Sequence, residues 1–373
     1  MFNRYICFCF LQLVLLHLEG RSQTSFKGLE HLFTEPSHYT CTYSAQAPAI
    51  DGDIHDTVWD KAPWSAAFSD IEGDKKPAPF LNTRVKMLWN DSCLFIAAQL
   101  EEPHVWARLK KRDDIVFHDN DFEVFVDPDN NTHQYFEIEV NALNTIFDLF
   151  LSKPYRNNSG ALFSWNAPGL KSAVKVLGTL NKGDDTDKGW TVEMALPFRA
   201  VTVGNDVKVP KEGELWRINF SRVEWDCDVK DGKYRKKKDA AGKELPEHNW
   251  VWSPQGVVNM HYPERWGYLH FSRKQGAAFQ LPYTEKQRKY LWLVYYRQKE
   301  YFEKNKKYAP ALKELGIDEK IEIDGRSNII KLAASRTQFS ARIKGESGRI
   351  IEINEEGLVQ VTNDNDEQQK EFS

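Results

Sequence analysis

Residues 117–141 read Phe117-His118-Asp119-Asn120-Asp121-Phe122-Glu123-Val124-Phe125-Val126-Asp127-Pro128-Asp129-Asn130-Asn131-Thr132-His133-Gln134-Tyr135-Phe136-Glu137-Ile138-Glu139-Val140-Asn141. Two runs of alternating apolar and polar residues flank the turn-forming residues 128–132, which is the signature of a β-hairpin. Side chains alternate across a strand, so Phe122, Val124, Val126, Phe136, Ile138 and Val140 share one face. Glu123, Asp127, Tyr135, Glu137 and Glu139 share the other. The first face is core material. The second is acidic and aromatic with no lysine, a composition suited to hydroxyl-rich ligands or to cations, and also compatible with an ordinary solvated face.

Outward from the hairpin, strand-like segments recur between turn signals. Residues 83–89 and 93–100 flank Asn90-Asp91-Ser92 as a second hairpin, and residues 145–151, 173–180, 190–196, 214–223 and 266–271 continue the series. Pro197 removes a ladder donor and starts a short turn or helix through Val201. Few stretches before Leu281 have helical spacing. So many short strands predict a mainly β domain over 38–273, a two-sheet antiparallel β-sandwich of jelly-roll-like form. Beyond Pro282, apolar and aromatic residues at Tyr290, Leu291, Val294, Tyr295, Tyr301 and Phe302 follow helical periodicity. A short helix over 311–315 then stops at Gly316. Strands over 321–323, 329–334, 339–343, 350–353 and 358–361 complete a small α+β module over 283–363, and 364–373 is a disordered polar tail.

The N-terminus carries a short basic stretch at Asn3-Arg4, an apolar run over 5–18 and a small-residue exit at Gly20-Arg21-Ser22-Gln23. That order predicts a secretory signal peptide over 1–23, hence a secreted or periplasmic mature chain without a transmembrane segment. Cys7 and Cys9 leave with it. Cys41, Cys93 and Cys227 remain, at separations that match no metal knuckle or disulfide framework. With 373 residues and 41% hydrophobic content the chain can build a large core unaided. Its net charge of -4 argues against nucleic acid as a partner. The one basic run, Arg235-Lys236-Lys237-Lys238, reads as a solvated loop.

Ala49-Ile50-Asp51-Gly52 with Asp56 and Trp59 resembles the opening signature of family 9 carbohydrate-binding modules. Residues 85–103 and the hairpin from Asp119 to Asn141 follow in that family's order. So do residues 190–197, Trp216-Arg217-Ile218-Asn219-Phe220-Ser221-Arg222, Trp252-Ser253-Pro254, and 261–267. The resemblance covers roughly 47–272. It implies a sandwich that binds a saccharide, often with calcium, beside polysaccharide-degrading enzymes. In such modules two aromatic rings hold the sugar. By position the first ring falls on Phe117, the second falls near Met260 where no ring stands, and His261 or Tyr262 could serve if the loop turns inward. Glu123 matches an acidic hydrogen-bonding position, and Glu139 stands where the family can place a basic residue. The helix with residues 307–312 and the sheet after it is weakly similar to the globular part of pilin-like proteins.

The candidate ligand-binding residues are therefore Phe117, His118, Asp119, Asn120, Glu123, Glu139, Arg222, Glu224, Trp252, Asn259 and His261, polar and aromatic groups at strand ends that converge on one rim. Arg222 beside Glu224 also reads as a structural ion pair. Trp59, Trp190, Trp216 and Trp266 read as core, while Trp106 fits either a core or an exposed position. Asp127, Asp129 and Asn131 alternate in the turn as hard oxygen donors that could wrap calcium, although a plain Asp/Asn turn has the same spacing. No cofactor is certain from the residues. Two other function classes stay open. A glycoside hydrolase could draw on Asp119, Asp121, Glu123, Glu137 and Glu139, though no catalytic motif accompanies them and no catalytic residue is assigned. A scaffold or other-ligand sandwich, haem included, would need an axial pair, and Met260 and His261 have no identifiable partner.

Overall fold

The central hairpin forms with the register that alternation requires. In the computed structural model, which describes residues 26–345 and 348–363, Phe122 lies opposite Val140, Glu123 opposite Glu139, Val124 opposite Ile138 and Val126 opposite Phe136. The six apolar residues of one face enter the main core with Val85, Met87, Ile96, Trp190, Val192, Trp216, Ile218 and Phe271. These come from two halves of the sheet that meet face to face across that core. The predicted signal peptide and the 364–373 tail lie outside the described residues.

One contact unit spans Glu35–Phe279. Its strands are β1 (His38–Tyr43), β2 (Ser69–Asp70), β3 (Thr83–Trp89), β4 (Cys93–Leu100), β5 (Asp121–Asp127), β6 (Tyr135–Asn141), β7 (Ile146–Leu151) and β8 (Ala161–Leu162). They continue with β9 (Lys171–Val176), β10 (Trp190–Pro197), β11 (Leu215–Glu224), β12 (Cys227–Lys230), β13 (Lys233–Lys236), β14 (His248–Val251) and β15 (Gly267–Ser272). Hydrogen bonds link them in the order β8-β7-β6-β5-β11-β15-β1-β3-β4-β10-β9, with β14 on β11 and β2 on β14. The sandwich departs from a purely antiparallel one at β1, which pairs parallel to β15 on one side and to β3 on the other, joining the two halves.

The opening signature is a clasp. Asp51 and Gly52 donate backbone N–H groups to the Glu193 carboxylate of β10, at 3.1 and 2.9 Å, and Trp59 Nε1 donates to its other oxygen at 2.7 Å. Gly52 has φ +87°, and a Cβ there would stand 2.8 Å from the Lys175 backbone nitrogen, so only glycine fits. Trp59, Trp190, Trp216 and Trp266 are buried as expected, and so is Trp106. The basic run is not a solvated loop throughout: β12 and β13 form a hairpin, and Lys236 tucks its Nζ over the Trp225 ring, 3.1 Å from the centroid. Cys41, Cys93 and Cys227 are free thiols.

The other unit joins residues 26–34 to those from Gln280 onward. Helix α1 (Tyr283–Asn305) buries Leu291, Trp292, Val294 and Tyr295, and it packs on an antiparallel sheet. That sheet is β16 (Lys320–Ile323), β17 (Arg326–Ala334), β18 (Phe339–Lys344), β19 (Arg349–Asn354) and β20 (Val359–Asn363). Gln298 of α1 exchanges two hydrogen bonds with the Ala309 backbone, at 2.8 and 2.9 Å. Gly316, at φ +70°, ends the short 3-10 turn Leu312–Leu315. Among the described residues no helix is long and apolar enough to cross a membrane.

Candidate functional site

The polar face of the central hairpin is buried beneath a cleft of about 510 Å³. Its floor comes from Glu123 and Phe125 of β5, Glu137 and Glu139 of β6, Phe147 and Leu149 of β7, and Val223 of β11. Strand alternation places these residues together, because each occupies the face opposite the main core. Below them, Tyr135, Trp266, Val116, Val251 and Leu151 form a second, smaller core with Phe125.

The rim comes from turns. Ile115 and Phe117 precede β5, Tyr155 and Phe163 follow β7, and residues 258–261 follow β14. Phe163 is 57% exposed and Val258 65%, and Ile115 and Tyr155 are also exposed, so an apolar rim stands around an acidic floor. Phe163 stacks nearly parallel to Phe147 with centroids 5.8 Å apart. Phe117 is held by backbone contacts on both sides: its N–H donates to Glu139 Oε2 at 3.2 Å, and its carbonyl accepts from Trp225 Nε1 at 2.8 Å. The loop over 258–261 turns inward because Trp266 Nε1 donates to the Met260 carbonyl at 2.7 Å. His261 thereby reaches the cleft, sharing a 2.9 Å hydrogen bond between its Nδ1 and the Tyr135 hydroxyl, with the Tyr155 ring 4.4 Å away.

The electrostatics are one-sided. No Lys or Arg lines the cleft among the described residues, whereas Glu123, Glu137, Glu139 and Glu247 do. Burial pushes the Glu123 carboxyl up to about 7 and raises Asp121, Glu137 and Glu139 well above the usual carboxylate range, and mutual repulsion adds to the shift in Asp121, Glu137 and Glu139. The raised values favour the protonated form, in which a carboxyl can donate as well as accept a hydrogen bond. Asp121 Oδ2 and Glu137 Oε2 are buried without a hydrogen-bond partner among the described residues. Glu137 Oε2 lies 4.0 Å from His261 Nε2, and burial lowers that imidazole to about 4, keeping it neutral.

Of the residues predicted from sequence, Phe117, Glu123, Glu139, Asn259 and His261 line the cleft. The remaining six lie off it. Arg222 and Glu224 form a buried network with Glu102, at 2.8 and 2.9 Å from Arg222 Nη2, and Asn120 donates to Glu224 at 2.7 Å. Asp119 is fully buried and fastens a loop, accepting from the Arg108 and Leu109 N–H groups at 2.7 and 2.8 Å. Trp252 belongs to the main core, and His118 points to solvent against Phe117. In the turn, Asp127 Oδ2 accepts from Thr132 N and Asn131 Oδ1 from His133 N, both at 2.7 Å, while Asp127 Oδ1 is buried without a hydrogen-bond partner among the described residues and Asp129 is exposed. Tyr155, Phe163, Ile115 and Val258 are rim residues not anticipated, and only their position after a strand or beside a turn could have marked them.

A family model described as carbohydrate family 9 binding domain-like matches residues 50–267. Two solved structures of a carbohydrate binding module family 9 from Caldicellulosiruptor kristjanssonii, in complex with cellotriose and with glucose, are similar to this chain. They are 15% and 14% identical to it, cover 66% and 65% of it and 100% of themselves, and each gives a TM-score of 0.42. No curated protein matches the chain.

Proposed function

The chain belongs to the carbohydrate family 9 binding domain-like family, and on that footing we propose that its sandwich is a non-catalytic module that binds a saccharide in the cleft over β5, β6 and β7. The observation that carries this reading is the pairing of a carboxyl-rich floor with exposed rings at the rim. Sugar rings present C–H faces to π-surfaces and hydroxyls at their edges. Phe117, Phe163 and Tyr155 offer the surfaces, and the carboxyl groups of Glu123, Glu137 and Glu139 offer hydrogen-bonding oxygens. The basic, apolar and small-residue order of the N-terminus supports secretion or a periplasmic location. There the module would serve polysaccharide utilisation beside degrading enzymes.

A second reading, glycoside hydrolysis, draws support from the three perturbed carboxyls that line the cleft, Glu123, Glu137 and Glu139. Hydrolysis needs an acid and a base or nucleophile on opposite sides of the scissile bond. Glu123 and Glu139 instead stand side by side in cross-strand register on a single wall. A glycan array probed with the purified chain, with product release followed on every bound glycan, separates the two. Binding without turnover, weakened in Phe117→Ala with its fold intact by circular dichroism, is expected. Turnover would establish the hydrolase, and unchanged affinity in Phe117→Ala would remove that ring from the site.

A further inference from the structure

We propose that the cleft floor is a site for a hard divalent cation of the calcium class, held by Asp121, Glu123 and Glu139, with coordination positions left open for the oxygens of a ligand in the cleft. The inference rests on the saccharide reading only for the identity of that ligand. One carboxylate oxygen from each of the three residues lies within 4.8 Å of the others. Oxygens bound to one calcium at roughly 2.3–2.6 Å are separated by at most about 5 Å, so three such groups can share an ion without rebuilding the sheet. The strands impose this grouping: Glu123 and Glu139 are directly opposed across the β5–β6 ladder, and Asp121 is two residues from Glu123 on the same face.

A second observation, independent of the cluster, points to an occupant. Asp121 is fully buried, yet its Oδ2 has no hydrogen-bond donor among the described residues, and the same holds for Oε2 of Glu137 on the floor. Buried polar oxygens are almost always partnered, and leaving one bare is costly. No Lys or Arg among the described residues lines the cleft to neutralise these carboxyls, and Arg222, Arg112 and Arg156 are each paired with other acids, Glu102 and Glu224, Asp148, and Glu264. The donor set is all oxygen, which suits calcium rather than zinc or copper. Glu123 and Glu139 face the cleft while Asp121 is sealed behind them, so the site opens in one direction, toward the ligand. At most six carboxylate oxygens are available from three residues, and calcium takes six to eight ligands, so monodentate contacts leave room for water or sugar hydroxyls.

The test is isothermal titration of calcium chloride into the full chain stripped with EDTA, repeated with terbium, whose emission is sensitised by nearby aromatic rings. One bound ion is expected, with affinity falling tenfold or more in Asp121→Asn and in Glu139→Gln, near-isosteric changes whose folding is checked by circular dichroism. Absence of stoichiometric binding would overturn the proposal. Binding that survives both variants but falls in Asp127→Asn would move the ion to the hairpin turn and overturn it equally. Sugar titrations with calcium and with EDTA then test the open positions: a tenfold or greater loss in EDTA supports them, and equal affinity refutes them. A chain that binds calcium but no glycan in either condition refutes the saccharide reading and leaves the cation site standing.

Discussion

The two faces of the β5–β6 hairpin are built from the same fourteen residues and are both buried, yet they have opposite chemistry. On one face Phe122, Val124, Val126, Phe136, Ile138 and Val140 meet other apolar groups and leave no polar atom behind. On the other, Asp121, Glu123, Glu137 and Glu139 crowd together with some oxygens unpartnered. Burying the first face stabilises the fold, while burying the second opposes it. A chain selected only for stability would fill both faces with aliphatic side chains, and the acidic face is what the proposed ligand site in the cleft would require.

The largest effect expected from breaking this contrast is on the dry face. Phe122→Ala should lower stability by about 3–5 kcal/mol, seen as a fall in urea midpoint. Glu123→Gln, one residue along and measured in EDTA, should keep the wild-type midpoint or raise it. A Phe122→Ala loss below about 1 kcal/mol would mean that the two faces are not energetically distinct. Next comes His261, whose imidazole faces Glu137, Tyr135 and Tyr155 and is held to about 4 by burial. Its folded value is below the unfolded one, so the unfolded chain takes up a proton first and stability declines as pH falls from about 6.5 toward 4. Wild type should lose about 2 kcal/mol more over that window than His261→Gln, and parallel pH profiles would place the ring in solvent. The smallest effect is at the rim: Phe163→Ala should leave the urea midpoint unchanged and weaken glycan binding about tenfold, near 1.4 kcal/mol. Full affinity in that variant would restrict the rings proposed to stack on sugar to Phe117 and Tyr155.

The central hairpin was legible because a period of two leaves only one way to bury Phe122 and Val124 together, and that choice aligns Glu123 with Glu139. Trp59 was legible as core, but its role with Asp51 and Gly52 in clasping Glu193 depends on a strand more than 130 residues away. Likewise the Arg222–Glu224 pair follows from spacing, whereas Glu102, which completes it, is 120 residues distant. The cleft was only half readable. Its floor lies on strands with a strict period, but Tyr155, Phe163 and Val258 occupy turns whose direction is set by tertiary contacts. Strand β1 was missed because its partners are parallel and remote, and no hairpin turn announces it. The Lys236 stretch was misread because a basic composition conceals a two-stranded ribbon whose lysine stem covers a tryptophan.

Strand β1 also imposes an order on synthesis. Thr40 and His270, partners in the ladder, are 230 positions apart. At a translation rate of about 5–20 residues per second, the segment that leaves the ribosome early waits on the order of ten to fifty seconds for its companion to emerge. Until then the two halves of the sandwich are unjoined along that seam, with hydrogen-bonding edges open to any passing strand. That seam of the sandwich can close only after β15 has emerged, which makes the nascent chain more vulnerable to aggregation than the finished protein.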